Sequence, residues 1–216
     1  MQPGDRFTVF NGRGSEALVE LVSAKRDRVE LKVLQQTRSD RLLCEITLAQ
    51  AIPKGKNMDL IIEKATELGA SMVAPLISER TVVQLDPDEA TRKQEKWQRV
   101  AIEAAKQCGQ NTLPTIGYPR STREFLAQPV VCDLMLIASL QPGAVHLKEI
   151  VAEFGARRPS RVMVMVGPEG DFTPAEMALA RSVGCRPVTL GPIILRSETA
   201  AIYCLSVLSH ELFSPR

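Results

Sequence analysis

Arg196, Glu198 and Thr199 fall within four positions of one another in LGPIILRSETAAIYC, just after a Gly191-Pro192 pair and where the last helix-like run begins. A guanidinium at the N-terminal end of a helix opposes the macrodipole, which favours acids there. Arg196 is therefore expected to be held for a ligand, or for Glu169 or Glu198, more than for the helix. Another Gly-Pro pair, Gly167-Pro168, opens the turn VGPEGDFT and is followed at once by Glu169, Gly170 and Asp171. A third loop, IASLQPGA, carries Ser139 and Leu140. Glycines let a ligand approach backbone groups closely, and apolar neighbours offer faces for a ring. Three such loops side by side would make a polar pocket for a neutral or cationic small molecule.

Other chemistries lack their residues. There is no GxxxxGK[ST] and no strand-linked GxGxxG, so phosphate cradling and nicotinamide binding are unsupported. Ser197 sits in no GxSxG elbow, which argues against a serine hydrolase. Two histidines, His146 and His210, and five cysteines without a CxxC pair give no metal-ligand pattern; the thiols read as reduced core residues. No metal is expected.

The elements that must carry these loops have two grammars. Residues 6–51 read as short β segments, with Asn11-Gly12 as a hairpin turn, and suggest a small OB-like or PUA-like barrel. After Pro53 helices and strands alternate, as in an α/β domain with a largely parallel sheet. Asn57 is placed as the cap of a helix that stops at Gly69, and SMVAPLI, TIGYP, CDLMLIAS and RPVTLG as strands. AVHLKEIVAEFG is expected as an amphipathic helix, and Trp97 packs in the core or an interface. RVMVMV reads as a strand buried on both faces, then a tight loop, then a helix with Thr173 as cap, Pro174 at its first position, Glu176 completing a capping box and Gly184 ending it. Ligands of open parallel sheets bind beyond the carboxyl ends of strands, where all three loops would lie.

Charge is balanced: 27 basic against 25 acidic residues, net +2, with no basic block. A nucleic-acid surface would have to be assembled in space or by oligomerisation. No run is long and apolar enough for a membrane span, and no secretory signal opens the chain, so a soluble cytoplasmic protein is expected.

VGPEGDFTPAEM followed by LGPIILRSETAAIYCLSVL resembles the signature of the ribosomal RNA small-subunit methyltransferase E family, and PKGKNMDLIIEKATELGASMVAPLISERT and KWQRVAIEAAKQCGQNTLPTI resemble further family segments. The resemblance covers nearly the whole chain. It implies a SPOUT-type α/β domain with a C-terminal trefoil knot over residues 51–216, a PUA-like β-barrel over residues 1–50, a homodimer, and methylation of uridine N3 in the 16S rRNA of the 30S subunit with S-adenosyl-L-methionine as donor. Carried over by position, the donor site takes Ser139 and Leu140 from the first loop and Gly167, Pro168, Glu169 and Gly170 from the second. The third supplies Leu190, Gly191, Ile194, Leu195 and Thr199. The chain departs from the family in opening at MQPGDRF without a longer basic leader, and in Gln110 and Ile193 where basic residues are frequent, which implies weaker RNA contacts. A SPOUT enzyme acting on another RNA position, or a non-catalytic RNA-binding or assembly protein, stays open.

For transfer to a uridine nitrogen, Arg196 is expected to stabilise the base as its imide proton leaves, with Glu198 or Glu169 orienting Arg196 or taking the proton. Lys54, Lys56, Lys64 and Arg80 are candidates for phosphate contacts.

Overall fold

The computed structural model describes residues 1–129, 131–154 and 158–213. The chain divides into two compact units, residues 1–41 with 105–113, and residues 42–104 with 114–216.

In the first unit, β1 (Arg6–Phe10), β2 (Ser15–Ala24) and β3 (Val29–Arg38) form an antiparallel sheet in that order. The expected hairpin joins β1 to β2. Asn11 Oδ1 accepts the N–H groups of Arg13 (2.8 Å) and Ser15 (3.2 Å), while Gly12 takes a φ of 73° that a side chain would resist. The described sheet is three-stranded and open rather than a closed barrel.

The strand expected to complete it, β4 (Glu45–Ala51), belongs to the second unit, which moves the boundary from residue 50 to residue 41. The reason is burial: Ile46, Leu48, Ala49 and Ala51 are all fully buried, covering both faces of the strand, and β4 pairs in parallel with two other strands.

Besides β4, the second unit's main strands are β5 (Met72–Ile77), β8 (Leu134–Ala138), β10 (Arg161–Val166) and β11 (Arg186–Thr189). Two-residue strands β6 (Thr115–Ile116), β7 (Arg120–Ser121) and β9 (Val145–His146) flank them. The parallel sheet runs β6-β5-β4-β10-β8-β11-β9, with β7 also on β5. The helices are α1 (Asn57–Glu67), α2 (Pro87–Cys108), α3 (Thr122–Leu126), α4 (Leu147–Ala152), α5 (Pro174–Ser182) and α6 (Ser197–Phe213). None of the described helices is long and apolar enough to cross a membrane.

The alternation in RVMVMV sorts two cores. Val162, Val164 and Val166 join the layer of α1 and α6, with Trp97, Ile61 and Leu205, whereas Met163 and Met165 join Phe172, Met177 and Ala180 in the layer of α3 and α5. Each fully buried side chain of this size contributes about 1.5–3 kcal/mol.

Capping decides where the loops begin. Thr173 caps α5 through its side chain, Glu176 returns the reciprocal bond, Pro174 opens the helix, and Gly184 follows its end with φ 99°. Asn57, expected as a cap, lies inside the first turn of α1 instead; Lys56 occupies the cap position and no side-chain bond is made there, while Gly69 ends the helix as expected with φ 79°. The AVHLKEIVAEFG helix is shorter than expected. Its first residues pair as β9, His146 Nδ1 caps α4 by accepting the Lys148 N–H, and Gly155 lies outside the described residues.

Candidate active site

The three expected loops leave the carboxyl ends of neighbouring strands β8, β10 and β11 and enclose one cleft. From the first loop come Ser139 and Leu140, from the second Gly167, Pro168 and Glu169, and from the third Leu190, Gly191, Ile194 and Leu195. Ser139 is buried, its N–H donating to Val188 O (2.9 Å) and its Oγ accepting the Gln141 N–H (3.1 Å). Leu140 and Ile194 instead stand at the rim, 61% and 75% exposed, beside Ile193 at 74%. The walls are largely apolar, and the glycines serve the turns: a Cβ on Gly167 would sit 3.2 Å from Phe172 N and 3.3 Å from Asp171 Cα, where the second turn closes on itself, and Gly191 has φ 125°.

Four expected residues do not wall the cleft. Gly170 lies in the second turn with its carbonyl accepting a bond from Arg80 Nη1. Thr199 is exposed on the first turn of α6. Arg196 and Glu198 bracket the lining residue Ser197; Arg196 is exposed, Glu198 half-buried, and neither side chain pairs with another described residue. The expected link from Glu169 to Arg196 is not formed either, because Glu169 Oε1 accepts the backbone N–H of Lys54 (3.1 Å). That bond brings the loop after β4, which carries Lys54 and Lys56, against the Gly167–Asp171 turn. Lys64, on α1, is answered by Glu63 (2.8 Å) and Glu67 (2.9 Å), and these bonds hold its ammonium above the usual lysine range.

Two contributors were not anticipated. Asp171 adopts φ 61° and links two loops: Oδ1 accepts the Phe172 N–H (2.8 Å) and Oδ2 the Leu140 N–H (3.3 Å). Aspartate is among the few non-glycine residues that tolerate this backbone, a signal the GPEGD turn did carry. The other is a buried chain of polar groups under the cleft. Gln50 Nε2 donates to Ser197 Oγ (2.9 Å) and to Ala51 O (2.8 Å), and Ser197 Oγ donates to Gly167 O (2.7 Å). Gln50 is 0% exposed and its Oε1 has no partner, a cost of about 1–3 kcal/mol in general. No local pattern could have announced it, since Gln50 and Ser197 are 147 positions apart. Among the described residues no group of three His, Cys, Asp or Glu side chains is arranged to hold a metal.

With this geometry in view, comparison with known proteins is decisive. Residues 40–209 match the model of the RNA methyltransferase domain, and residues 1–34 that of the RNA methyltransferase PUA domain. The chain is 33% identical over 215 residues to the ribosomal RNA small subunit methyltransferase E of Bacillus subtilis, covering 98% of this chain and 84% of the relative. The chain belongs to this methyltransferase family. Its Synechocystis member is 34% identical over 220 residues, 99% of this chain and 69% of that one. Among solved structures, a methyltransferase of Legionella pneumophila in complex with S-adenosylmethionine superposes with a TM-score of 0.88 at 33% identity, over 97% of this chain and 84% of that one. The family member from Neisseria gonorrhoeae, bound to S-adenosylmethionine, gives 0.85 at 32% identity, over 96% and 84%. The α/β class with an N-terminal PUA domain thus agrees with the expectation, and the family with the resemblance.

Proposed function

We propose that this chain is an S-adenosyl-L-methionine-dependent ribosomal RNA methyltransferase that modifies N3 of a uridine in 16S rRNA. The observation that carries the reading is the cleft itself, three loops at the carboxyl ends of adjacent parallel strands with an unpaired arginine at its rim, in a chain of this family. The residues fit the donor. Apolar side chains of Leu190, Leu195 and Ala138 offer surfaces for an adenine, and Gly167 and Gly191 line the cleft without side chains between its backbone and a ligand. When bound, S-adenosylmethionine supplies an electrophilic methyl group on a sulfonium.

What this chain contributes is alignment and charge. Uridine N3 lies on the Watson–Crick edge, so the base must be unpaired before it can enter. Arg196 is exposed, has no competing carboxylate, and sits between the lining residues Leu195 and Ser197. It donates to a uracil carbonyl oxygen and stabilises the anion left when the N3 proton departs. Glu198, two residues on, is the carboxylate proposed to orient Arg196 or to receive that proton. Lys54 and Lys56 meet RNA phosphates beside the cleft, and Arg80 adds charge there while clamping Gly170. Lys64, already paired with two acids, adds little. The apolar rim of Leu140, Ile193 and Ile194 supports a homodimer that covers it, and the C-terminal part of the α/β unit is assigned the trefoil knot. The enzyme acts in the cytoplasm on the 30S subunit.

The test is incubation with labelled donor and either 30S particles or naked 16S rRNA, followed by mapping of the methyl group. Label at a uridine N3 in at least one substrate is expected. A methyl group on a ribose or on another base would overturn the assignment of position, and calorimetry showing no donor binding would overturn the enzyme.

A further inference from the structure

The buried chain beneath the cleft has a fixed direction. Both N–H bonds of the Gln50 amide are committed, one to Ala51 O and one to Ser197 Oγ, so the amide cannot turn over without setting its own oxygen against the Ala51 carbonyl. Ser197 has a single proton. Because its oxygen already accepts from Gln50, that proton points at Gly167 O. Gln50 stands opposite Val166 in the register of β4 and β10, next to the residue at which the second loop leaves the sheet. The unpartnered Oε1 makes this arrangement unfavourable for Gln50 taken alone, and an apolar residue of the same size would remove that orphan while withdrawing the side-chain donor from Ala51 O. What an apolar residue could not supply is the bond that orients Ser197.

We infer that Gln50 is a positioning residue for the donor cleft: through the Ser197 hydroxyl it ties back the carbonyl of Gly167 and so sets the path of the Pro168–Asp171 turn, which Asp171 in turn couples to Leu140. This rests on the donor reading for its ligand, but not for its structural content. Three segments far apart in sequence, the end of β4, the exit of β10 and the start of α6, are locked together at one point, and two of the three loops of the cleft depend on it.

The test uses Gln50→Met, which conserves volume, and Ser197→Ala, which removes the hydroxyl with the least disturbance of packing. Amide hydrogen exchange of the ligand-free full chain should show at least tenfold faster exchange over residues 140–141 and 167–172 in both variants, with residues 162–166 of β10 changing less than twofold. Calorimetric titration with S-adenosylmethionine should show at least tenfold weaker binding in each, and the double variant should be no more than twofold worse than the weaker single one. Faster exchange confined to the loops, together with a wild-type chain that does not bind the donor, would leave the positioning role standing and remove the donor reading. Unchanged loop exchange in both variants, equal acceleration throughout β10, or binding losses that multiply in the double variant would each overturn the inference.

Discussion

At the scale of single residues, two side chains separate chemistry from architecture. Arg196 makes no internal bond with its guanidinium, so its removal should leave the fold and the cleft intact. Arg196→Ala is expected to lower single-turnover methyl transfer by about 10²–10³-fold, the range for losing one donor to a developing anion, with donor affinity by calorimetry within about threefold of the parent. Asp171 is the opposite case. Asp171→Ala loses the bonds to Phe172 and Leu140 and leaves a Cβ at φ 61° without compensation, so we expect a loss of about 1–2 kcal/mol in urea unfolding; Asp171→Asn, which tolerates the backbone and keeps an acceptor, should lose less than half of that. Arg196 is a candidate in the sequence because it stands against the dipole of its helix. The cross-link made by Asp171 is not legible there, because Leu140 lies 31 positions away and loop-to-loop hydrogen bonds leave no periodic trace.

At the scale of elements, local chemistry predicts well where it is self-contained. The Thr173–Glu176 box, Pro174 and Gly184 specify α5 within a dozen residues, and the structure forms all of it. Glu176 does more than cap: its carboxylate is buried and also accepts the Glu79 N–H (3.1 Å), so the helix start holds the loop after β5. Thr173→Ala should therefore destabilise the protein by about 0.5–2 kcal/mol in thermal or urea unfolding, because the Glu176 backbone N–H loses its acceptor while the Thr173 N–H keeps its bond to the Glu176 carboxylate. Asn57 shows the limit of such reading: a good capping residue type one position too late is simply a helical residue. Strand β4 shows another. Its pattern reads as one more barrel strand, and only the pairing with β10, more than a hundred residues downstream, puts it in the parallel sheet.

At the scale of the whole molecule, three of the scattered cysteines, Cys44, Cys185 and Cys204, are buried in the second unit. Burial pushes the thiols of Cys44 and Cys204 up to about 12 and that of Cys185 to about 11, from an ordinary 9.0. The folded state therefore holds these protons more tightly than the unfolded chain does. The stability they contribute is complete below pH 9 and is lost progressively as pH rises through 9 toward 11–12. Unfolding midpoints by urea should accordingly fall above pH 9, and less steeply in Cys204→Ala, even though that variant starts from a lower midpoint for want of packing. Alkylation at pH 8 should mark the exposed Cys108 first and leave Cys44, Cys185 and Cys204 protected. The division into a β-rich N-terminal unit and an α/β unit was visible in composition and patterning, but its boundary was not, because it depends on which sheet receives one strand. The two cores of that second sheet differ in kind. The Val side of β10, which backs α6 and hence the cleft, is built of stiff branched residues that admit few alternative packings, whereas the Met side under α3 and α5 is pliable. Mutational drift in this lineage should thus accumulate on the Met side, giving the protein a compliant back behind a rigid working face.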